Sequence, residues 1–405
     1  MQFDLLIKNA RIFTMDEHFT FHERAFVGIK HRKIVWIGED DSDCIAKDVL
    51  DVRGALLTPG MIDCHTHLIY AGHRGKDFVA RLEGKSYEEI VQEGGGILST
   101  VAATQTASLE TLLELSYKRA HVMLLNGTTT IEVKSGYGLD VENELKILRV
   151  AKLLQPIIPM RVIPTFLALH AMPNGFKNKD EYVQYVIHEI LPKVAHEELA
   201  SAVDAFCENI AFSKEQIAKL FQAAQQLHLD IKLHAEQLSD QKGAKMAANL
   251  NALSVDHIEY LKSEDCFHLA NSKTVAVLLP GAFYYLREKQ KPPIQELRMH
   301  NIPMAIATDH NPGTSPFLSL PMMMNMACIL FGLTVKEAWL GVTRNAAKAL
   351  NIHHTVGMVK QGMMADLVVW DCHSLEDIIM QPNINYCRHI IYDGKLVPAT
   401  RRGFY

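Results

Sequence analysis

Cysteine is scarce and unpatterned in this chain of 405 residues: the seven, at 44, 64, 207, 266, 328, 372 and 387, are scattered and form no C-x-x-C. An odd, dispersed set argues against a disulfide framework and for reduced thiols in a cytoplasmic protein. Long apolar runs are missing too. None reaches the roughly 18 residues of a membrane span, and "MQFDLLIKNARIF" lacks the charged-then-apolar layout of a signal peptide. Charge of one sign is not in excess: a formal net charge of -5 gives no electrostatic reason to expect nucleic acid or an anionic membrane as a partner. Internal repeats and low-complexity tracts are absent as well.

What remains is an ordinary globular composition, 48% hydrophobic and 21% charged. The first 60 residues read as short strands with turns ("DLLIKNARIFTM", "RAFVGIKHRKIVWIG", "VRGALLTPG"), and the last 50 echo them in "GMVKQGMMADLVVWD" and "RHIIYDGKLV". Between these ends, apolar strand-like runs alternate with amphipathic stretches such as "SLETLLELSYKRAHVMLLN" and "KEQIAKLFQAAQQLH". The strands are expected to end near His67, Lys134, His170, Glu208, His234, His257, Pro280 and Asp309. Eight strand–helix repeats over roughly 250 to 300 residues predict an α/β fold, a (β/α)8 TIM-like barrel, with a doubly wound open sheet as the alternative. The barrel is expected over 60–355, and a small β-sandwich domain built from both chain ends over 1–59 and 356–405. The stretch "EGGGILSTVAATQT", 93–106, reads as a loop near the site or a plain linker, since three glycines suit neither helix nor strand interior.

Twenty histidines are many, and a few stand where strands end. His65 and His67, two apart, share one face of a strand, so their imidazoles converge. His234 ends the fifth expected strand and Asp309 the eighth. A barrel gathers these ends on its active face. Three imidazoles and a carboxylate suit Zn²⁺, and octahedral iron or manganese is an alternative. Taken singly, each has a plainer explanation: a chance pair, a satisfied core histidine, a helix N-cap. His257 ends the sixth strand and suits acid–base work, or a hydrogen bond in the barrel wall. Arg74, seven residues past His67, has the planar fork that matches a carboxylate, though a solvent-facing arginine is equally in keeping with its position.

The stretches "LLTPGMIDCHTH" and "GMVKQGMMADLVVWD" resemble the first-strand signature and the C-terminal return of the amidohydrolase superfamily. More specifically, "HTHLIYAGHR", "GGGILSTV", "EVKSGYGL", "TFLALHAMP", "DAFCEN", "KLHAEQLSD", "DHIEYL" and "ATDHNPGTSP" resemble the members that open the ring of 4-imidazolone-5-propanoate in histidine breakdown. The resemblance implies His65, His67, His234 and Asp309 as ligands of one metal ion, Zn or Fe. Two-metal relatives carry a bridging lysine at the end of strand four, where this chain has Cys207 and Glu208; Lys134 follows strand two instead.

The resemblance further implies His257 and Asp309 as the proton-handling groups. Arg74 would meet the substrate's propionate arm, with further contacts from Tyr137, His170, Gln237 and Thr314. Asn311 and Gly313 would meet the carboxylate of the opened product, N-formimidoyl-L-glutamate. Gln237 stands where related deaminases carry a glutamate that protonates a ring nitrogen, and a glutamine cannot shuttle a proton. The neighbouring Glu236 is expected to point away from the site. The implied partner is a small molecule, and the implied assembly a homodimer. Competing expectations are a heterocycle deaminase or other one-metal amidohydrolase, against which Gln237 and Arg74 speak, and a catalytically silent scaffold, which has no need of four convergent ligands.

Overall fold

The computed structural model describes residues 1–398, so residues 399–405 of the expected C-terminal β segment lie outside the described residues. Strands β1 (Gln2–Phe13), β2 (Phe21–Lys30), β3 (Lys33–Gly38), β4 (Ile45–Asp51) and β5 (Leu56–Pro59) open the chain. The parallel barrel strands follow: β6 (Met61–Asp63), β7 (Thr128–Lys134), β8 (Arg161–Leu169), β9 (Ala202–Cys207), β10 (Asp230–Ala235), β11 (Ser254–His257), β12 (Val275–Leu278) and β13 (Met304–Ile306). The chain then returns in β14 (Leu367–Trp370), β15 (Cys387–Tyr392) and β16 (Lys395–Leu396) to a mixed sheet ordered β16-β15-β14-β5-β1-β2-β3, with β4 beside β1. Both chain ends therefore build one sheet, because β14 pairs antiparallel with β5 in register Leu367 to Pro59. Within that sheet "RAFVGIKHRKIVWIG" is a hairpin whose two turn residues, His31 and Arg32, both have positive φ (51° and 70°), as a tight two-residue connection requires.

The barrel strands run in chain order from β6 to β13, and helices such as Leu109–Leu125 and Lys214–Gln226 cover them as the amphipathic spacing predicts. Ser108 and Ser213 cap these two helices by accepting from the third backbone N–H beyond them. Closure falls between β6 and β13. β6 is short, but its backbone continues as a strand-like seam: Asp309 N–H donates to the His65 carbonyl (3.0 Å) and His67 N–H to the His310 carbonyl (2.9 Å). Below that seam, buried Asp63 accepts from Thr308 N–H (3.1 Å) and from Thr308 Oγ1 (2.7 Å).

The expected loop at 93–106 is corrected. Glycine-specific backbone is confined to Gly94 (φ 84°) and Gly96 (φ 75°), and residues Ile97–Thr106 form a helix. Thr100, Val101 and Thr104 of that helix are buried, and Thr104 Oγ1 accepts from Ala71 N–H at 3.1 Å. The glycines make one sharp entry turn, and the residues after them carry a buried helical face that the glycine run had masked.

All seven cysteines are free thiols, and among the described residues no helix is long and apolar enough to cross a membrane.

The Asp63 seam makes a measurable prediction. Burial, only partly offset by its Thr308 hydrogen bonds, pushes its carboxyl up from 3.8 to about 7. A carboxyl raised on folding stabilises the fold below its unfolded pKa and loses that contribution as pH climbs toward the folded value. Between pH 5 and pH 7.5 the wild type should therefore lose about 2–3 kcal/mol relative to Asp63→Asn, read from urea midpoints of the two proteins. A gap that does not change with pH would contradict it.

Candidate metal centre and active site

Each candidate side chain arrives from a strand end. The β6 continuation delivers His65 and His67, β10 delivers His234, β11 delivers His257, and the segment after β13 delivers Asp309; all five are at most 3% exposed. His67 Nε2 lies 3.3 Å from His234 Nε2, and Asp309 Oδ1 lies 3.4 Å from both His65 Nε2 and His67 Nε2. These separations match the edge of a tetrahedron around a cation with ligand bonds of 2.0–2.1 Å, about 3.3 Å. His65 Nε2 is buried without a hydrogen-bond partner and faces this cluster. His65, His257 and Asp309 also form a second close grouping, so His257 adjoins the same point. The donor set fits a metal ion.

Behind the cluster lies a layer that the strand-end reading had not anticipated. Glu132, Lys134, Asp204, Lys232 and Asp256 are all fully buried inside the barrel, where branched aliphatic side chains are usual. Lys134 Nζ reaches Asp204 (2.7 Å) and Glu132 (2.9 Å), while Lys232 Nζ reaches Glu132 (2.8 Å) and the Cys64 carbonyl (2.8 Å). The layer is coupled to the ligands: Asp256 Oδ2 lies 2.6 Å from His65 Nδ1, and Asp204 Oδ2 lies 3.0 Å from His234 Nδ1. A carboxylate on Nδ1 keeps the proton there and turns the Nε2 lone pair toward the cation. The available signal was period 2: Glu132 with Lys134, and Lys232 with His234, share an inward face.

Backbone strain gathers here as well. Glu236, His257, Ile258 and Asp309, at the ends of β10, β11 and β13, all have positive φ between 51° and 80°. For the β-branched Ile258 this is a true outlier, of the kind tolerated where surrounding structure fixes a functional geometry.

Residues 56–397 match the amidohydrolase family. The chain is 49% identical over 389 residues to an imidazolonepropionase of Idiomarina loihiensis, covering 95% of each chain. It is 50% identical over 397 residues to one from Hahella chejuensis, covering 96% of this chain and 98% of that one. The chain belongs to the amidohydrolase family and, within it, to the imidazolonepropionases. A zinc-bound adenosine deaminase of Xanthomonas campestris superposes with a TM-score of 0.74 over 98% of this chain and 93% of that one, at 17% identity. That likeness shows the shared barrel alone.

In this imidazolonepropionase-family chain the remaining expected residues fall into four groups. Tyr137 and His170 surround His67: the His170 ring stacks on it at 4.9 Å and Tyr137 lies 6.0 Å away. His170 Nδ1 is 3.1 Å from the Gly136 carbonyl, an acceptor that places the proton on Nδ1 and leaves Nε2 free. Arg74 lines a cavity of about 300 Å³ with Tyr70, Phe78, Tyr285 and Pro312, and Gly313 lies beside its guanidinium. Its loop is held by Arg119, whose Nη1 donates to the carbonyls of Leu68 (2.8 Å) and Tyr70 (2.9 Å).

Asn311 and Thr314 are largely occupied within their own turn. Asn311 Oδ1 accepts from Gly313 N–H, Thr314 N–H and Thr314 Oγ1 at 2.7–3.0 Å, and its Nδ2 donates to the Asp309 carbonyl at 2.7 Å. Gln237 is half-buried, at the start of a loop that Glu208 fixes through Leu238 N–H at 2.8 Å. Glu236 points away, as expected, accepting from Gly243 and Ala244 N–H at 2.7 and 2.8 Å. Burial pushes its carboxyl up to about 7 even against those two bonds.

The imidazoles are tuned differently. Burial drives His67 down to about 4 and His257 to about 3, leaving both rings neutral near pH 7. For His65, burial and Lys134 oppose the charge, but the nearby carboxylates of Asp256 and Asp309 outweigh them and raise its pKa. Burial also opposes charge on Asp309, yet His65 and His67 hold it well below the usual carboxylate range. A cation entering the cluster therefore meets an ionised carboxylate at Asp309.

Asp256→Asn keeps the shape but weakens the bond that orients His65. It should lower metal affinity about 10–100-fold, measured by competition with a chromophoric chelator. Unchanged affinity would remove Asp256 from that role.

Proposed function

We propose that this chain hydrolyses the cyclic amide of 4-imidazolone-5-propanoate to N-formimidoyl-L-glutamate, with His65, His67, His234 and Asp309 holding one Zn or Fe ion. What carries the reading is the convergence of four candidate ligand atoms on one barrel face, with a nearly buried guanidinium, Arg74, in the loop that follows His67, in a chain about half identical to imidazolonepropionases. When bound, the ion supplies Lewis acidity at the ring carbonyl and activates water near neutral pH.

The chain's own groups do the rest. Arg74 binds the propionate carboxylate and fixes how the ring carbonyl faces the centre. Tyr137 and His170, packed around His67, wall the ring pocket and keep solvent from its far side. Hydrolysis adds water across the ring C–N bond, so one proton must travel from water to the departing nitrogen. His257, neutral and buried beside Asp309, accepts that proton and returns it to the nitrogen, and Asp309 shares the transfer as the second acceptor. Gln237 contributes a hydrogen bond to the substrate but no proton. The second Nδ2 proton of Asn311 and the backbone at Gly313 meet the carboxylate of the opened product, and Thr314 adds a contact to the substrate. The same reading, resting on the resemblance to imidazolonepropionases, extends to a cytoplasmic homodimer acting on a small molecule.

Substrate generated by urocanase should lose its ultraviolet absorbance when the metal-loaded protein is added, stop doing so with chelator, and resume on return of Zn²⁺ or Fe²⁺. Absence of decay with fully loaded protein would overturn the substrate assignment. His257→Ala should reduce turnover about 10²–10⁴-fold with metal content unchanged; loss of metal in that variant would make His257 a ligand instead.

A further inference from the structure

The guanidinium of Arg74 is engaged on one side by the chain itself. Arg74 precedes helix Gly75–Leu82, and its Nε donates to Asp77 Oδ2 in the first turn of that helix. Asp77 is 7% exposed, and its Oδ2 also accepts from Gly96 N–H at 2.9 Å. The glycine turn at 94–96 is shaped around this carboxylate. A Cβ at Gly95 would lie 2.7 Å from Asp77 Oδ1 and 2.9 Å from the Ile90 carbonyl, and Gly96 has a φ of 75°.

The opposite side of the guanidinium is also bounded. A Cβ at Gly313 would stand 3.0 Å from Arg74 Nη1, and Gly313 is itself fixed by Arg81, whose Nη2 donates to its carbonyl at 2.9 Å. With Nε committed to Asp77, the edge left for a ligand is the Nη1–Nη2 pair, which can meet a carboxylate with two parallel bonds.

We propose that Asp77 is a positioning residue for substrate recognition: seated by the Gly94–Gly96 turn, it fixes the Arg74 guanidinium so that its Nη pair faces the substrate's carboxylate. Asp77 touches no substrate atom and acts through Arg74. The inference rests on the proposed role of Arg74 as the carboxylate binder. It also gives the triple glycine a task at the site: backbone without side chains lets the turn close onto Asp77 and offer it an N–H. An arginine held in one rotamer loses less conformational freedom on binding than one that must be ordered by the ligand.

The test compares wild type, Arg74→Ala, Asp77→Asn, Gly95→Ala and the Arg74→Ala/Asp77→Asn double variant. Each is assayed on 4-imidazolone-5-propanoate and on the corresponding propanamide, which lacks the negative charge. Asp77→Asn should raise KM for the carboxylate substrate about tenfold or more, as loss of one charge-assisted hydrogen bond does, with kcat within about threefold. KM for the amide should stay within about twofold of wild type, and the double variant should be no worse than Arg74→Ala alone, since both changes act on one interaction. Gly95→Ala leaves Asp77 present but displaced, and should show the same selective rise in KM. An Asp77→Asn KM equal to wild type, with Arg74→Ala raised, would overturn the positioning role and leave the reading of Arg74 standing. Arg74→Ala with unchanged KM would overturn both. Equal losses on acid and amide would make Asp77 a purely structural residue and overturn the inference.

Discussion

The buried carboxylate of Asp256, set between a lysine layer and the imidazole of His65, is the contact on which the rest of the site depends. Two lysines and three carboxylates lie fully buried at the centre of this barrel, an arrangement whose desolvation cost is repaid only by close, multiple contacts. Those contacts are present: Lys134 and Lys232 share Glu132, Thr165 Oγ1 donates to Glu132 at 2.6 Å, and Ser254 Oγ donates to Asp256 at 2.6 Å. Against burial, His234 and Lys134 hold Asp204 ionised, Lys232 and His65 hold Asp256 ionised, and these two carboxylates face the Nδ1 sides of His234 and His65. The Nε2 nitrogens of the candidate site are thus oriented from beneath by charges that water does not reach.

From that layer upward, each step follows from barrel geometry. Parallel strands deliver their C-terminal residues to one face, and the β6–β13 seam brings His65 and Asp309 together through a direct backbone hydrogen bond of 3.0 Å. Left-handed backbone at His257, Ile258 and Asp309 turns the chain sharply where its side chains must face inward. Over this floor, the loop after β6 carries Arg74 to the cavity mouth, pinned by Arg119 from the neighbouring helix. One continuous stretch, residues 61 to 74, thus carries both the histidine pair and the arginine proposed to bind substrate.

Much of this was legible in the sequence, and the reasons are physical. Strand ends could be read because apolar runs stop at polar residues where the barrel opens to substrate, and His65, His67, His234, His257 and Asp309 were all found there. The lysine–carboxylate layer was not, because a charged residue inside a strand gives no local sign of which distant charge it meets: Lys134 pairs with Asp204, seventy residues away. The helix Ile97–Thr106 was hidden behind three glycines whose torsional freedom is used for a single turn. Asn311 was read for its functional groups; the fold also uses them locally, through four hydrogen bonds within its own turn that no sequence pattern announced. Asp77 lies within an ordinary run of helix residues, and only the contact with Arg74 distinguishes it.

The central claim is a single metal ion held by His65, His67, His234 and Asp309, with His257 left free for proton transfer. Titrating metal-free protein with Zn²⁺ while following both bound metal and hydrolysis of 4-imidazolone-5-propanoate tests it most directly. Both signals should saturate at one equivalent per chain. Activity that appears only with a second equivalent, or that persists without metal, would contradict it.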